Sequence, residues 1–143
     1  MSELRLLFRR DKQGMQKFLR SRGRSFKNAF AGLYYVMRTQ RNAWIHSVAT
    51  MLVVLLAIWL QLSVTSWAIL FLAMGMVWTA EFFNTALEAY IDLASPQIHP
   101  LARIGKDVGA GAVLVSAFFA AIVGFLIMGP PLLNRLEMLF HFR

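Results

Sequence analysis

The sequence predicts an all-α integral membrane protein, in which an N-terminal amphipathic surface helix precedes three transmembrane helices. Of its 143 residues, 58% are hydrophobic and 15% are charged, whereas soluble domains average about 45–50% apolar and about 25% charged residues. Residues 42–80 and 108–134 contain no Asp, Glu, Lys or Arg. Because about 20 apolar residues cross the hydrocarbon core of a bilayer, uncharged stretches of this length indicate membrane spans.

The positive charge is concentrated at the N-terminus, where residues 1–41 hold eleven of the fifteen Lys and Arg residues. A basic segment directly before a span typically contacts anionic lipid headgroups, so we favour a membrane surface over nucleic acid as its partner. Within this basic N-terminal segment, residues 1–24, we expect one or two short surface helices at most over residues 3–20, because Gly14 interrupts their apolar pattern. The absence of cysteine excludes a disulfide framework and a thiolate zinc site.

The amphipathic surface helix is predicted over residues 25–41, with Ser25 as its N-cap. Its apolar residues recur three or four positions apart and so form one helical stripe, which comprises Phe26, Phe30, Leu33, Tyr34 and Met37. Such a helix lies in the plane of the membrane interface with its apolar face toward the lipid.

The three spans are predicted at about residues 43–62, 67–91 and 108–128. Asp107 is expected to cap the third span, and the sequence Gly129-Pro130-Pro131 to end it, which leaves residues 129–143 as a C-terminal tail. The excess of Lys and Arg before the first span predicts a cytoplasmic N-terminus. With three spans, the loop before the third span is then also cytoplasmic, and the C-terminus lies outside.

The second span carries polar residues on one face, because Asn84, Glu88 and Asp92 lie within about 60° of Glu81 around the helix, over a length of roughly 16 Å. Ionisable residues inside a span are costly and therefore indicate a function. Three interpretations are open: polar contacts between helices, a proton or ion pathway, and a magnesium–phosphate site to which Lys106 supplies a countercharge. The spacing alone does not separate them.

Two motifs at this place in the chain resemble the prokaryotic diacylglycerol kinase family. The first motif is EFFNTALEAYID at residues 81–92, and the second is HPLARIGKDVGAGAV at residues 99–113. The upstream strings SFKNAFAGL (25–33) and RNAWIH (41–46) also fit, so the resemblance covers about residues 24–128, the predicted membrane domain.

The resemblance implies a small homotrimeric kinase of the cytoplasmic (inner) membrane that phosphorylates a lipid hydroxyl group with ATP and Mg²⁺. No P-loop motif occurs in the chain. By position, Glu81 corresponds to the family's catalytic carboxylate and Glu88 to the carboxylate that binds the nucleotide's metal. The residues that match the family's remaining nucleotide-binding positions are Asn84, His99, Lys106 and Asp107.

The sequence departs from the family pattern at Gln40, where the resemblance predicts a second metal-binding glutamate. An amide oxygen can coordinate Mg²⁺ but contributes no charge. The alternative to an active kinase is therefore a catalytically weakened family member that serves as an accessory or structural membrane subunit. The strings Q-R-N-x-x-I-H (40–46) and S-P-x-x-H-P (95–100) resemble the undecaprenol-kinase branch of the family more than the diacylglycerol-kinase branch. This resemblance implies undecaprenol rather than diacylglycerol as the substrate. His46 is interpreted as an interfacial or packing histidine rather than a ligand.

Overall fold

The computed structural model describes the backbone of residues 2–97 and 99–141 and the side chains of residues 18–97 and 99–139. Every regular element within these residues is an α-helix: α1 (Ser2–Thr39), α2 (Arg41–Trp59), α3 (Val64–Ala94) and α4 (Pro100–His141). Helix α1 forms one compact unit, and α2–α4 form a second. The predicted all-α class with an N-terminal helix is confirmed.

Helix α1 is longer than the predicted surface helix, because it begins at Ser2 and continues through Gly14 to Thr39. The prediction of short helices before residue 25 is therefore wrong. One glycine costs a helix about 1 kcal/mol, and the neighbouring Arg, Lys, Gln, Leu and Met residues are strong helix formers. Ser25 is not an N-cap, since its hydroxyl donates a hydrogen bond back to the carbonyl of Ser21 inside the helix. The predicted apolar stripe is largely exposed, with Phe26, Phe30 and Tyr34 among its uncovered side chains.

Three helices of the described residues are long and apolar enough to cross a membrane: Arg41–Trp59, Val64–Ala94 and Pro100–Leu139. The protein is therefore a multi-pass membrane protein. Helix α3 has 31 residues and a length of about 46 Å, which exceeds the roughly 30 Å of a hydrocarbon core. Its polar C-terminal end therefore has the length to extend beyond the apolar layer.

The turn between α2 and α3 closes the first helical pair. Gln61 adopts a left-handed backbone conformation with φ 53°. Its amide donates a hydrogen bond to Ile58, and the amide of Leu62 donates one to Ala57. This is the Schellman arrangement that satisfies the last carbonyls of a helix. Helix α3 then begins at a cap, where the Ser63 hydroxyl accepts a hydrogen bond from the backbone amide of Ser66 at 3.2 Å.

Helix α4 differs from the predicted third span at both ends. It begins at Pro100, where the missing amide hydrogen costs nothing, and the Nδ1 atom of His99 accepts a hydrogen bond from the amide of Leu101 at 3.2 Å. The predicted cap at Asp107 is thus wrong, because that residue lies inside the helix. The predicted end at Gly129-Pro130-Pro131 is also wrong, since α4 continues to His141. Prolines are tolerated in membrane helices because neighbouring groups satisfy the freed carbonyls.

Helices α3 and α4 make the most extensive helix–helix contact in the second unit, and α2 packs mainly against α3. The buried apolar core is small and consists mostly of short side chains and a few larger ones, among them Ala43, Ala57, Leu70, Val77 and Val113. Most large apolar side chains point outward, as expected for helices whose solvent is lipid. Polar side chains are also buried among these helices, namely Glu81, Asn84 and Thr85.

Candidate functional site

Glu81, in the middle of α3, is the centre of the candidate site. Its relative exposure is 0%, and it is one of the two largest fully buried side chains in the described part of the chain. Neither carboxylate oxygen has a hydrogen-bond partner. Burying a carboxylate without a partner is strongly unfavourable, so Glu81 is the first candidate for a functional residue among the buried side chains.

His46 from α2 faces Glu81 across the helix interface. Its Nε2 atom lies 3.9 Å from Oε2 of Glu81, which is too long for a hydrogen bond, and Nε2 has no other hydrogen-bond partner. The imidazole ring packs edge-on against the Trp78 ring, with centroids 6.1 Å apart. Trp78 is itself held by a 3.2 Å hydrogen bond from its Nε1 atom to the hydroxyl of Thr50.

Asn84 and Glu88 continue the same face of α3 toward its C-terminal end. Asn84 is 6% exposed, and its Nδ2 atom donates a 3.1 Å hydrogen bond to Oε1 of Glu88. The Oδ1 atom of Asn84 is buried and has no partner. This contact agrees with the predicted alignment of these residues on one helix face. It leaves a buried amide oxygen and a half-buried carboxylate free to accept further bonds.

The remaining predicted site residues lie at the polar end of the bundle. Lys106 of α4 forms an ion pair with Asp92 of α3, which joins the two helices beyond the buried face. Asp107 is exposed, and its Oδ2 atom lies 3.8 Å from Nε of Arg103 one turn earlier. His99 is exposed and caps α4 through its Nδ1 atom. The structure thus brings Glu81, Asn84 and Glu88 together, and it places Lys106, Asp107 and His99 on the neighbouring helix end.

Gln40 does not lie on a helix as predicted. It forms the link between α1 and α2 with an extended backbone (φ −98°, ψ 120°), and its side chain makes no capping hydrogen bond. The predicted helix over 25–41 therefore ends two residues early, at Thr39.

The donor atoms at the site fit a hard divalent cation in chemical type. Mg²⁺ prefers carboxylate and carbonyl oxygens and retains water and phosphate ligands. Glu88 and the unpartnered Oδ1 of Asn84 supply such atoms beside the unpartnered carboxylate of Glu81. Among the described residues no group of three or more His, Cys, Asp or Glu side chains is placed to hold a metal ion.

An apolar groove of about 420 Å³ runs between α2, α3 and α4 and reaches His46, the neighbour of Glu81. His46, Thr50 and Trp78 form its polar end. The rest of its wall consists of small and aliphatic side chains with one phenylalanine, including Val53, Leu56, Ala73, Val77, Ala117, Ala120 and Phe125. Glu81 itself does not line this groove, whose apolar wall has the chemical character that a hydrocarbon chain requires.

Two residues of this site were not predicted from the sequence. His46 is the only ionisable residue between positions 42 and 80. Its isolation in an otherwise uncharged span is the feature of the sequence that could have indicated a role in the site. Gly109 lies so close to Asn84 that a Cβ atom there would collide with Oδ1 of that residue. The run of small residues to which it belongs was interpreted as close helix packing, and the contact with Asn84 depends on the tertiary structure.

The fold and the site together define a multi-pass membrane protein with a buried acidic centre. Residues 27–128 match the family described as prokaryotic diacylglycerol kinase. The chain belongs to this family, and it is accordingly a kinase, an enzyme whose reaction is phosphoryl transfer with ATP. This confirms the resemblance seen in the two sequence motifs.

Several relatives are similar over most of the chain. Undecaprenol kinase of Bacillus subtilis (strain 168) is 39% identical over 109 residues, which cover 76% of this chain and 89% of the relative. Diacylglycerol kinase of Synechocystis sp. is 44% identical over 111 residues, covering 77% of this chain and 63% of the relative. Diacylglycerol kinase of Escherichia coli (strain K12) is 32% identical over 95 residues, which cover 62% of this chain and 78% of the relative.

Proposed function

We propose that this protein transfers the γ-phosphoryl group of ATP to the hydroxyl group of a membrane lipid, with undecaprenol preferred over diacylglycerol. The observation that carries the proposal is the fully buried, unpartnered carboxylate of Glu81. It lies opposite His46, and His46 lines the polar end of an apolar groove. The groove receives the hydrocarbon chain of the lipid, and this directs the hydroxyl group toward the carboxylate.

Glu81 is proposed as the general base. It accepts the proton of the lipid hydroxyl, and the oxygen forms a bond to the γ-phosphorus while the bond from that phosphorus to the β-phosphate oxygen breaks and ADP leaves. A positioned carboxylate typically contributes a 10²- to 10⁴-fold rate enhancement in such a role. Because phosphoryl transfer depends mainly on positioning and charge neutralisation, the rest of the site has to hold the nucleotide.

Glu88 and Asn84 are proposed to hold the magnesium ion of the nucleotide through the carboxylate and the free amide oxygen. The ion, when bound, neutralises the phosphate charge. Lys106 provides a further positive charge once its pairing with Asp92 is exchanged for a phosphate. His99 and Asp107 are proposed to contact the nucleotide from the start of α4. Gln40 is proposed as a neutral metal ligand in place of the family's glutamate.

The preference for undecaprenol rests on the motif strings and on the similarity to the Bacillus relative along 89% of that protein. The similarity to the Synechocystis diacylglycerol kinase makes diacylglycerol the competing substrate. Parallel initial rates on the two lipids, each dispersed in the same detergent with labelled ATP and Mg²⁺, test the preference. A higher kcat/KM for diacylglycerol would reverse it.

The activity itself is tested with the same assay on purified protein. We expect phosphorylated lipid from the wild type and a rate at least about 10²-fold lower from Glu81→Gln. The matched control is Glu137→Gln, which removes a carboxylate near the C-terminal end of α4 and should retain activity. If the wild type phosphorylates neither lipid, the kinase proposal fails and the accessory-subunit alternative takes its place.

We propose a cytoplasmic N-terminus in the inner membrane, with the basic segment of α1 against anionic headgroups. The positive-inside rule supports this orientation. Because the chain has no cysteine, a single cysteine substitution reports directly on which side of the membrane that position lies. Gln97→Cys, between α3 and α4, should react with a membrane-impermeant thiol reagent only after cell lysis, whereas Ser63→Cys, between α2 and α3, should react in intact cells. The reverse pattern would invert the topology.

We propose that the enzyme is a homotrimer. One chain leaves long apolar helix faces uncovered, and the acidic residues at the end of α3 need a protein or water environment. Native mass spectrometry in mild detergent tests this assembly. Fully active protein that is only monomeric would contradict it.

A further inference from the structure

A half-buried arginine lies just beyond the end of the apolar groove that is farthest from the candidate site. Leu56 of α2 and Leu132 of α4 line the groove at that end. One helical turn further along each helix, the guanidinium group of Arg135 lies over the ring of Trp59, 5.8 Å from its centroid. A cation and an aromatic ring therefore adjoin an apolar channel.

Arg135 has no anionic partner among the described residues, since none of the three ion pairs there includes it. Glu137 lies on the opposite side of α4, because two residues turn a helix by about 200°. A guanidinium group stays charged and presents N–H donors that match a phosphate in bidentate geometry. Contact with the Trp59 ring involves the face of this planar group, so the donors at its edge remain available to an anion.

The level of Arg135 along the bundle is that of lipid headgroups. Helix α2 has 19 residues and ends at Trp59, so its length of about 28 Å nearly equals the roughly 30 Å of a hydrocarbon core. Tryptophan is enriched at the membrane–water interface, where the phosphate groups of phospholipids are the abundant anions. The adjacent turn, residues 60–66, has no Asp or Glu, so a headgroup ammonium group finds no partner there. This favours a lipid with net negative charge.

The groove is long enough to hold an acyl chain that enters at this end. On α4 its lining extends from Ala117 to Leu132, a rise of about 22 Å, whereas one leaflet contributes about 15 Å of the hydrocarbon core. Gly129 also lines the groove, and a Cβ atom there would meet nothing within 4 Å. The channel is therefore open close to Arg135.

We propose that Arg135, Trp59 and the adjoining end of the groove bind one anionic phospholipid from the membrane leaflet opposite the candidate site. Arg135 donates hydrogen bonds to the phosphate group, and one acyl chain lies in the groove along Leu132 and Gly129. This site goes beyond the proposed kinase reaction, because Arg135 and Trp59 take no part in that reaction. Residue 135 also lies outside residues 27–128, which match the family.

Native mass spectrometry of detergent-purified protein incubated with phosphatidylglycerol or phosphatidylcholine tests the cation. Because the basic residues of α1 also attract anionic lipid, the sample is first washed in high salt, which screens exposed charges most. We expect the wild type to retain one phosphatidylglycerol per chain. Arg135→Gln should bind it about tenfold more weakly, as for the loss of hydrogen bonds to a charged group, and Arg135→Lys should retain more than Arg135→Gln. The matched control is Arg103→Gln, which removes an exposed arginine near the other end of α4.

Two glycine variants test the groove in the same assay. Gly129→Leu fills the channel and should release the lipid, whereas Gly111→Leu makes the same change where the residue does not line the groove and should retain it. Circular dichroism in detergent checks that each variant keeps its helices. Equal retention by Arg135→Gln and Arg103→Gln would overturn the proposal, as would equal retention of the two lipids by the wild type. A folded Gly129→Leu variant that keeps its phosphatidylglycerol would also contradict it.

Discussion

Gly109 of α4 lies directly against Asn84 of α3, and a Cβ atom at position 109 would overlap with the Oδ1 atom of Asn84 and press on the side chain of Leu87. This close approach allows the two helices to meet at the level of the candidate metal ligands. The absence of a side chain at Gly109 therefore leaves the space that the amide oxygen of Asn84 occupies.

The first prediction follows from this contact. Gly109→Ala should lower the free energy of unfolding by about 1–3 kcal/mol, as overpacking does, and should lower kinase activity by displacing Asn84 from Glu88. Thermal unfolding in detergent and the lipid phosphorylation assay measure the two effects. Gly111→Ala is the control from the same small-residue run, because nothing lies within 4 Å of a Cβ atom there. Equal behaviour of the two variants would contradict the contact.

A second prediction concerns the charge of Glu88. In Glu88→Gln the acceptor of the hydrogen bond from Asn84 changes from a carboxylate to a neutral amide. The proposed metal site therefore loses the negative charge of residue 88. We expect the Mg²⁺ concentration for half-maximal activity to rise about tenfold or more, while the KM for the lipid stays unchanged. A magnesium titration at saturating ATP measures this, with Glu137→Gln as the control. An unchanged titration would remove Glu88 from the metal site.

A third prediction separates two roles of Lys106. If Lys106 only connects α4 to α3 through its ion pair with Asp92, Lys106→Met and Asp92→Asn remove the same ion pair. The two variants should then have equal effects on the KM for ATP. If it binds a nucleotide phosphate, Lys106→Met should raise the KM for ATP by about tenfold, whereas Asp92→Asn should leave it unchanged or lower it. Both side chains are partly exposed, so either variant should change stability by no more than about 1 kcal/mol.

A fourth prediction tests the support of His46. Thr50→Val keeps the shape of the side chain but removes the acceptor for Trp78 Nε1. Hydrogen bonds between membrane helices contribute about 0.6 kcal/mol on average and up to about 1.7 kcal/mol, and we expect a loss of stability in this range. Thr79→Val, at an exposed position of α3, is the control. A Thr50→Val variant as stable as this control would show that the bond contributes nothing.

A fifth prediction addresses Gln40. Gln40→Glu adds a negative charge at the position where the family has its glutamate, and this should lower the Mg²⁺ concentration required for half-maximal activity, since attraction between opposite charges grows as solvent is excluded. Asn42→Asp places a carboxylate two residues further along, at an exposed position, and should not change the titration. An unchanged titration in Gln40→Glu would place residue 40 outside the metal site.

The fold was largely predictable because its determinants are local. The lengths of the uncharged stretches specify three spans, and the periodic apolar residues after Ser25 specify a helix. The helix ends were less predictable. Gly14 and Pro130 are poor helix formers, yet α1 continues past Gly14 because its neighbours are strong helix formers, and α4 continues past Pro130 in a lipid environment. By contrast, the chain leaves the helical conformation at Gln40, where the sequence has neither glycine nor proline.

By itself, the sequence determined the membrane class, the family and the alignment of Glu81, Asn84 and Glu88, because residues three or four apart on a helix necessarily share a face. Only the tertiary structure decided which residues from other helices meet that face. The partnership of His46 with Glu81 and the approach of Gly109 to Asn84 join positions far apart in the chain. Both depend on how the helices pack, and no spacing rule along one helix encodes that geometry.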